Sequence, residues 1–275
     1  DNSWRSQPSP ITAADFLHGE NYDARLEASG WATSGFDDTG WEPALIVEPA
    51  EAALVSSPSQ PVRVTQNIEP VAITEPREGV YVFDMGQNFA GWVRLKVNGE
   101  AGSKVTLRFV ERLNPDGSIY TTNIRAAKAT DTYVLKGGGE EIFEPRFTFH
   151  GFQYVEVQGY PGTPSKEAIT GCVMHSDMPL AGQFECSDLR VNKLWTNSLW
   201  SQRGNFISIP TDCPQRDERL GWMGDAQIFI RTASLNMDAA AFFSKWMVDV
   251  EDAQTSDGAY ADVSPQVPWF FETNW

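Results

Sequence analysis

Between Asp212 and Ala226 the chain crowds four carboxylates (Asp212, Asp217, Glu218, Asp225), two arginines (Arg216, Arg219) and Trp222 into one stretch broken by Pro214, Gly221 and Gly224. Those types can do sugar chemistry. Arginine and carboxylate forks grip ring hydroxyls, an indole face packs on a pyranose, and a carboxylic acid in a partly apolar setting holds its proton near neutral pH. The same residues also fit a plainer arrangement, a solvated helix face in which Arg216, Asp217, Glu218 and Arg219 pair locally and Trp222 is simply buried.

The elements around the stretch decide how it is presented. Pro214 biases Cys213 toward an extended backbone, so 212–214 reads as a loop entering a helix. A helix beginning near Arg216 places Glu218, Trp222 and Asp225 at i, i+4 and i+7, on one face. Gly221 and Gly224 would each cost about 1 kcal/mol relative to Ala inside it, which points to close approach by a ligand or a neighbouring backbone. Ser187 and Asp188 can cap a preceding helix with Val191, Leu194, Trp195 and Leu199 at helical spacing. A second helix is expected from about Trp222 to Leu235. After Asp238 a third carries Ala239, Phe242, Phe243, Trp246, Met247 and Val250 on one stripe. The loop Asp257–Val263 offers Tyr260 or Asp262 as pocket-lining residues, or it is a plain helix connection.

Upstream, residues 65–178 read as strands. Val80–Phe83, Trp92–Val97, Val105–Phe109 and Tyr154–Val157 alternate or are β-branched, with Asn98-Gly99 and Asp116-Gly117 as hairpin-turn dipeptides. Trp92 reads as sandwich core rather than a sugar platform. Strands followed by helices indicate an antiparallel β-sandwich and then a helical domain. Residues 1–64 carry scattered aromatic turns, such as Gly30-Trp31 and Phe36 to Trp41, with too few strand-like runs to close a sandwich alone.

Composition narrows the function classes. With 41% hydrophobic residues, 10 Trp and 16 Phe the chain is globular, and its formal charge of -16 argues against nucleic acid and anionic membrane surfaces as partners. A neutral substrate fits better. Three cysteines (Cys172, Cys186, Cys213) without CxxC spacing and three histidines indicate neither a disulfide framework nor a metal centre, so no metal or cofactor is expected. No apolar run approaches the ~18 residues of a membrane span, and the N-terminus lacks signal-peptide features, so the chain reads as soluble with its compartment open. The absence of an Asn-x-Ser/Thr acceptor leans toward a bacterial chain.

The segment Asp212-Cys213-Pro214-Gln215-Arg216-Asp217-Glu218-Arg219-Leu220-Gly221-Trp222, followed by Gly224-Asp225-Ala226, resembles the active-site signature of the α-L-rhamnosidases of glycoside hydrolase family 78. Phe83-Asp84-Met85-Gly86-Gln87-Asn88-Phe89-Ala90-Gly91-Trp92 is similar to the opening of that family's jelly-roll domain, and His150-Gly151-Phe152-Gln153-Tyr154-Val155 to its closing strand. Phe184-Glu185-Cys186-Ser187-Asp188 resembles the entry to its (α/α)6 catalytic barrel. The domains implied are 1–64, the remnant of a preceding β-sandwich with a linker; 65–178, a jelly-roll β-sandwich; and 179–275, the first helices of an incomplete barrel.

The resemblance implies an inverting glycosidase acting on rhamnose-containing glycosides. Glu218 would protonate the leaving oxygen, Asp212, Arg216 and Asp225 would hold rhamnose hydroxyls, and Trp222 would pack on the sugar. The family's general base is a Glu from later in the barrel. The 275 residues are therefore expected to be part of a longer enzyme and inactive alone, with the barrel completed by further polypeptide or by self-association. Two other readings stay open: a non-catalytic carbohydrate-binding fragment, in which Glu218 has no task, and a related (α/α)6 enzyme, trehalase-like or phosphorolytic, acting on another sugar.

Overall fold

The structure is a computed structural model that describes residues 3–48 and 52–267. The aromatic tail from Pro268 to Trp275, singled out in the sequence, lies outside the described residues. In chain order the strands are β1 (Arg5–Ser6), β2 (Ile11–Asp15), β3 (Gly19–Asp23), β4 (Glu42–Pro43), β5 (Val62–Ile68), β6 (Ala72–Arg77), β7 (Val80–Asn98), β8 (Lys104–Val110), β9 (Thr130–Val134), β10 (Glu140–Phe143), β11 (His150–Gln158) and β12 (Ile169–Ser176). Helix α1 (Leu189–Asn205), the ribbon β13 (Phe206–Ile207) and β14 (Ile209–Pro210), and helices α2 (Met223–Asn236) and α3 (Ala240–Asp252) follow.

Strand β7 organises the β part. The sequence suggests separate strands at 80–83 and 92–97, but the structure runs them together as one bent strand of 19 residues. Its first half pairs with β6 and β11, and its second half with β12 and β10. At Gly91, which pairs with both β11 and β12, a Cβ would stand 1.9 Å from the Cys172 carbonyl oxygen, so only glycine lets the strands meet there. The sheet order β2-β3-β9-β8-β11-β7-β12-β5 thereby curls on itself into a sandwich. Phe83, Leu95, Leu107, Phe109, Phe152, Val155 and Val157 fill its interior.

Residues 11–23 belong to this sheet. Strand β3 runs parallel to β9, and Asp131 accepts a hydrogen bond from the Glu20 N–H at 2.9 Å. The side chain of Glu20 turns back to accept from the N–H groups of Arg146 and Phe147. Sequence reading starts the sandwich at residue 65 because Gly-Glu-Asn-Tyr-Asp has no apolar alternation. The Glu20 Oε2 and Asn21 Oδ1 acceptors take donors from Arg146, Phe147 and Thr132, more than a hundred residues away.

The helices form where the periodicity places them. Asp188 caps α1 by accepting from Arg190 N, as expected. Phe206, Phe242, Phe243 and Trp246 make the helical core, with Phe206 and Phe242 stacked at 4.8 Å. Buried Gln202 ties α1 to α2, donating to the Ala233 carbonyl and accepting from Asn236. The α1 stripe is only half used: Leu199 is buried, whereas Leu194 is 64% exposed. No described helix is long and apolar enough to cross a membrane.

Candidate active site

The chemistry-bearing stretch is a loop, and this corrects the expected helix from Arg216. Helix α2 starts only at Met223, with Trp222 in an extended conformation at its N-cap. Two features hold the chain out of the helix. Asp212 closes the loop on itself: its N–H donates to the Leu220 carbonyl, and its Oδ1 accepts from Leu220 N at 2.9 Å. Arg219 sits at φ +61°, a left-handed conformation that an α-helix does not admit. Gly221 then presses against another backbone, since a Cβ there would lie 2.2 Å from the Ser264 carbonyl oxygen. Close approach by a neighbouring backbone thus accounts for Gly221. Gly224, in the first turn of α2, has nothing within 4 Å of its would-be Cβ and borders open space.

Glu218 is at the centre of the hydrogen-bond network. Its Oε1 accepts from the Trp222 indole N–H at 3.0 Å, so these two meet across the loop rather than along a helix face. Its Oε2 accepts from Arg216 Nε at 3.0 Å and from Arg125 Nη2 at 2.9 Å. Arg216 also reaches Asp212 Oδ2 at 3.3 Å. Asp212, Arg216, Glu218 and Trp222 are therefore brought together in a loop, not on the helix face expected to gather Glu218, Trp222 and Asp225. Asp225 stands apart, exposed in the first turn of α2, and shares with Asp212 the wall of a cavity of about 490 Å³. A second cavity, of about 750 Å³, lies against Trp222, Tyr260 and Asp262, the loop residues considered as pocket lining.

Asp217 and Arg219 have other tasks than the local ion pairs of the plainer sequence reading. The Asp217 carboxylate takes Arg125 Nε and the Ala126 N–H, both from the sandwich. Partial burial works against its charge, but these donors prevail and hold the carboxyl below its ordinary range. Arg219 is buried, donating to the carbonyls of Phe16 and Phe149 and lying 4.8 Å over the Phe149 ring. Burial pulls its guanidinium down to about 10, which still leaves it charged at neutral pH. It fastens the loop to the sandwich.

Asp212, Cys213 and Glu218 offer donor atoms within 4.8 Å of one another, a spacing that could suit a metal ion. Their chemistry does not suit one. Burial, and then the hydrogen bond to Asp212, push the Cys213 thiol up to about 12. Both Asp212 oxygens are engaged, and the Arg216 guanidinium already supplies the positive charge between Asp212 and Glu218.

Sequence reasoning did not find Arg125. It lies in the connection between β8 and β9, 93 positions from Glu218, and no motif or periodicity marks it. The positive φ of 54° that aims it is invisible in an Arg-Ala-Ala string.

Three family models match consecutive parts of the chain: an α-L-rhamnosidase N-terminal domain over residues 1–66, a bacterial α-L-rhamnosidase concanavalin-like domain over 74–175, and a bacterial α-L-rhamnosidase 6 hairpin glycosidase domain over 179–275. An α-L-rhamnosidase of Streptomyces avermitilis is 54% identical over 96% of this chain, which covers 26% of that protein. One from Formosa agariphila is 39% identical over 97% of the chain and 29% of its own length. The structure of the Streptomyces avermitilis enzyme complexed with L-rhamnose superposes with a TM-score of 0.93 at 53% identity, over 97% of this chain and 26% of that one. That of the Dictyoglumus thermophilum α-L-rhamnosidase gives 0.97 at 44% identity, over the whole of this chain and 31% of that one. The chain spans between a quarter and a third of the length of these relatives. On the strength of its three consecutive domain matches, its loop and its curled sandwich, the chain belongs to the bacterial α-L-rhamnosidase family of glycoside hydrolases.

Proposed function

We propose that this chain supplies the acid half of an inverting α-L-rhamnosidase, with Glu218 protonating the glycosidic oxygen of a terminal, non-reducing α-L-rhamnoside. The observation that carries the reading is the framing of Glu218. Donors on Arg125 and Arg216 occupy Oε2, so the transferable proton belongs on Oε1, beside the indole of Trp222. Asp212 and Asp225 border the adjoining cavity and would take sugar hydroxyls together with Arg216, while Trp222 would pack against the ring.

As the C–O bond breaks, the Oε1 proton passes to the departing oxygen. A water deprotonated by a second carboxylate attacks the anomeric carbon from the other face, giving the inverted hemiacetal. Asp212 is ill placed as that base. One of its oxygens lies within 4.8 Å of a Glu218 oxygen, short of the about 6.5–9.5 Å that leaves room for water, and both its oxygens are already hydrogen-bonded. The base is taken to come from sequence outside these residues, as the resemblance to the family implies. Rhamnose as the sugar is supported by the names of the relatives and by the L-rhamnose complex of one of them.

The test is hydrolysis of p-nitrophenyl glycosides by the full-length protein carrying this segment, with the product anomer followed by NMR. Release of β-L-rhamnose first, from the α-L-rhamnoside in preference to other glycosides, is expected. Preference for a different sugar would shift the reading to a related barrel enzyme, and binding without turnover would make it a carbohydrate-binding protein.

A further inference from the structure

We propose that Arg125, a residue of the sandwich, is a positioning residue for the acid. It rests on the reading of Glu218 as proton donor and assigns the sandwich a part in the reaction. The guanidinium is used at both ends. Nε binds Asp217 Oδ1, and Nη2 binds Glu218 Oε2 at 2.9 Å and the Asp217 carbonyl at 3.3 Å. The next residue completes the grip, Ala126 N donating to Asp217 Oδ2. Two consecutive residues of the β8–β9 connection thus hold two consecutive residues of the catalytic loop.

A docking role alone would need only the Asp217 half of this arrangement. The second half loads Oε2 with donors from two layers and leaves the Trp222 indole N–H as the partner of Oε1. Arg216 comes from the same loop and moves with it, whereas Arg125 is anchored in a different layer, next to the buried Ile124 and Ala127. It therefore sets the orientation of the carboxyl plane against a rigid frame. The backbone at Arg125, φ 54° and ψ −117°, is one that a side-chain-bearing residue rarely adopts, and strain of this kind persists where surrounding structure enforces a particular side-chain direction. Half of the Arg125 side chain is exposed, so its removal leaves no cavity in the sandwich core.

The experiment uses the full-length protein with Arg125→Ala, Arg125→Lys, Glu218→Gln and the double variant Arg125→Ala/Glu218→Gln. Each is assayed on p-nitrophenyl α-L-rhamnoside and on methyl α-L-rhamnoside, whose alkoxide leaves poorly without a proton. General-acid help is typically worth roughly 10²–10⁴-fold, and Arg125→Ala is expected to lower kcat on the methyl glycoside roughly 10- to 100-fold, with little change on the aryl glycoside and KM within about threefold. Lysine should recover part of the loss, as should millimolar guanidinium ion added to Arg125→Ala. In the Glu218→Gln background the Arg125 substitution should cost nothing further, because its effect runs through the missing acid. Equal losses on both substrates, losses that add in the double variant, or full activity in Arg125→Ala would each overturn the proposal. If Glu218→Gln itself shows no leaving-group asymmetry, the acid reading fails and this proposal with it. If Glu218→Gln shows the asymmetry and Arg125→Ala does not, only the positioning role is lost.

Discussion

Glu218 and Arg219 are neighbours with opposite fates, one partly buried with its carboxyl held by Arg125, Arg216 and Trp222, the other sealed under Phe16 and Phe149. For Glu218→Gln in the full-length protein, kcat should fall by roughly 10²–10⁴-fold on an alkyl or flavonoid rhamnoside and much less on an activated aryl one, since a good leaving group needs little protonation. Loss of a hydroxyl-binding residue such as Asp225 should instead slow both substrates alike. Parallel kinetics of the two leaving groups would remove Glu218 from the acid role. For Arg219→Ala, two carbonyls in the interface lose a charged donor, each costing about 1–3 kcal/mol when buried. Thermal denaturation should show a drop of several degrees in Tm, larger than for Arg216→Ala, which is partly exposed. A smaller drop would mean that Arg219 is not the fastening described.

At the scale of elements, the loop from Asp212 to Trp222 is defined by what it packs against. Gly221→Ala should displace it, because Ser264 is itself fixed by the Trp246 indole and cannot retreat freely. Gly224→Ala, with open space around it, should hold or raise stability by up to about 1 kcal/mol from helix propensity. Chemical denaturation of the pair checks this contrast; equal costs would contradict it. The junction to the sandwich also carries a pH signature. The depressed Asp217 carboxyl stabilises the folded junction fully above the unfolded value of about 3.9, and that contribution is lost as pH falls through the lower folded value. Acid titration should loosen the loop below about pH 4 in the wild type, and Arg125→Ala should flatten that dependence.

For the molecule as a whole, sandwich and helices differ in how completely they are packed. The sandwich interior is closed, while Leu189, Leu194, Ile228 and Leu235 on α1 and α2 remain 80%, 64%, 79% and 70% exposed. Amide exchange in the isolated 275-residue chain should therefore protect β7, β8 and β11 most and the helices least. Uniform protection would show that another polypeptide, or a second copy, covers those faces. The same chain should hydrolyse p-nitrophenyl α-L-rhamnoside no faster than buffer, and turnover by it would place the base within these residues.

Much of this was written in short-range pattern. The helices followed from apolar spacing and the Asp188 cap, and the sandwich from alternation. Glu218 and Trp222 were read as neighbours, but on a helix face shared with Asp225; they meet instead across a loop, with Asp225 apart on α2. What the tertiary structure decided were the features that depend on a partner distant in sequence. The Ser264 carbonyl and the side chain of Asp212 made a loop of what propensity read as helix. Strand β3 joined the sheet through Asp131, and β7 continued through Gly91 because Cys172 lies against it. Arg125 reached Glu218 across 93 positions. Periodicity reports which face a residue shows to its own element's surroundings; it carries no information about which remote group arrives there, and the orientation of the acid depends on that arrival.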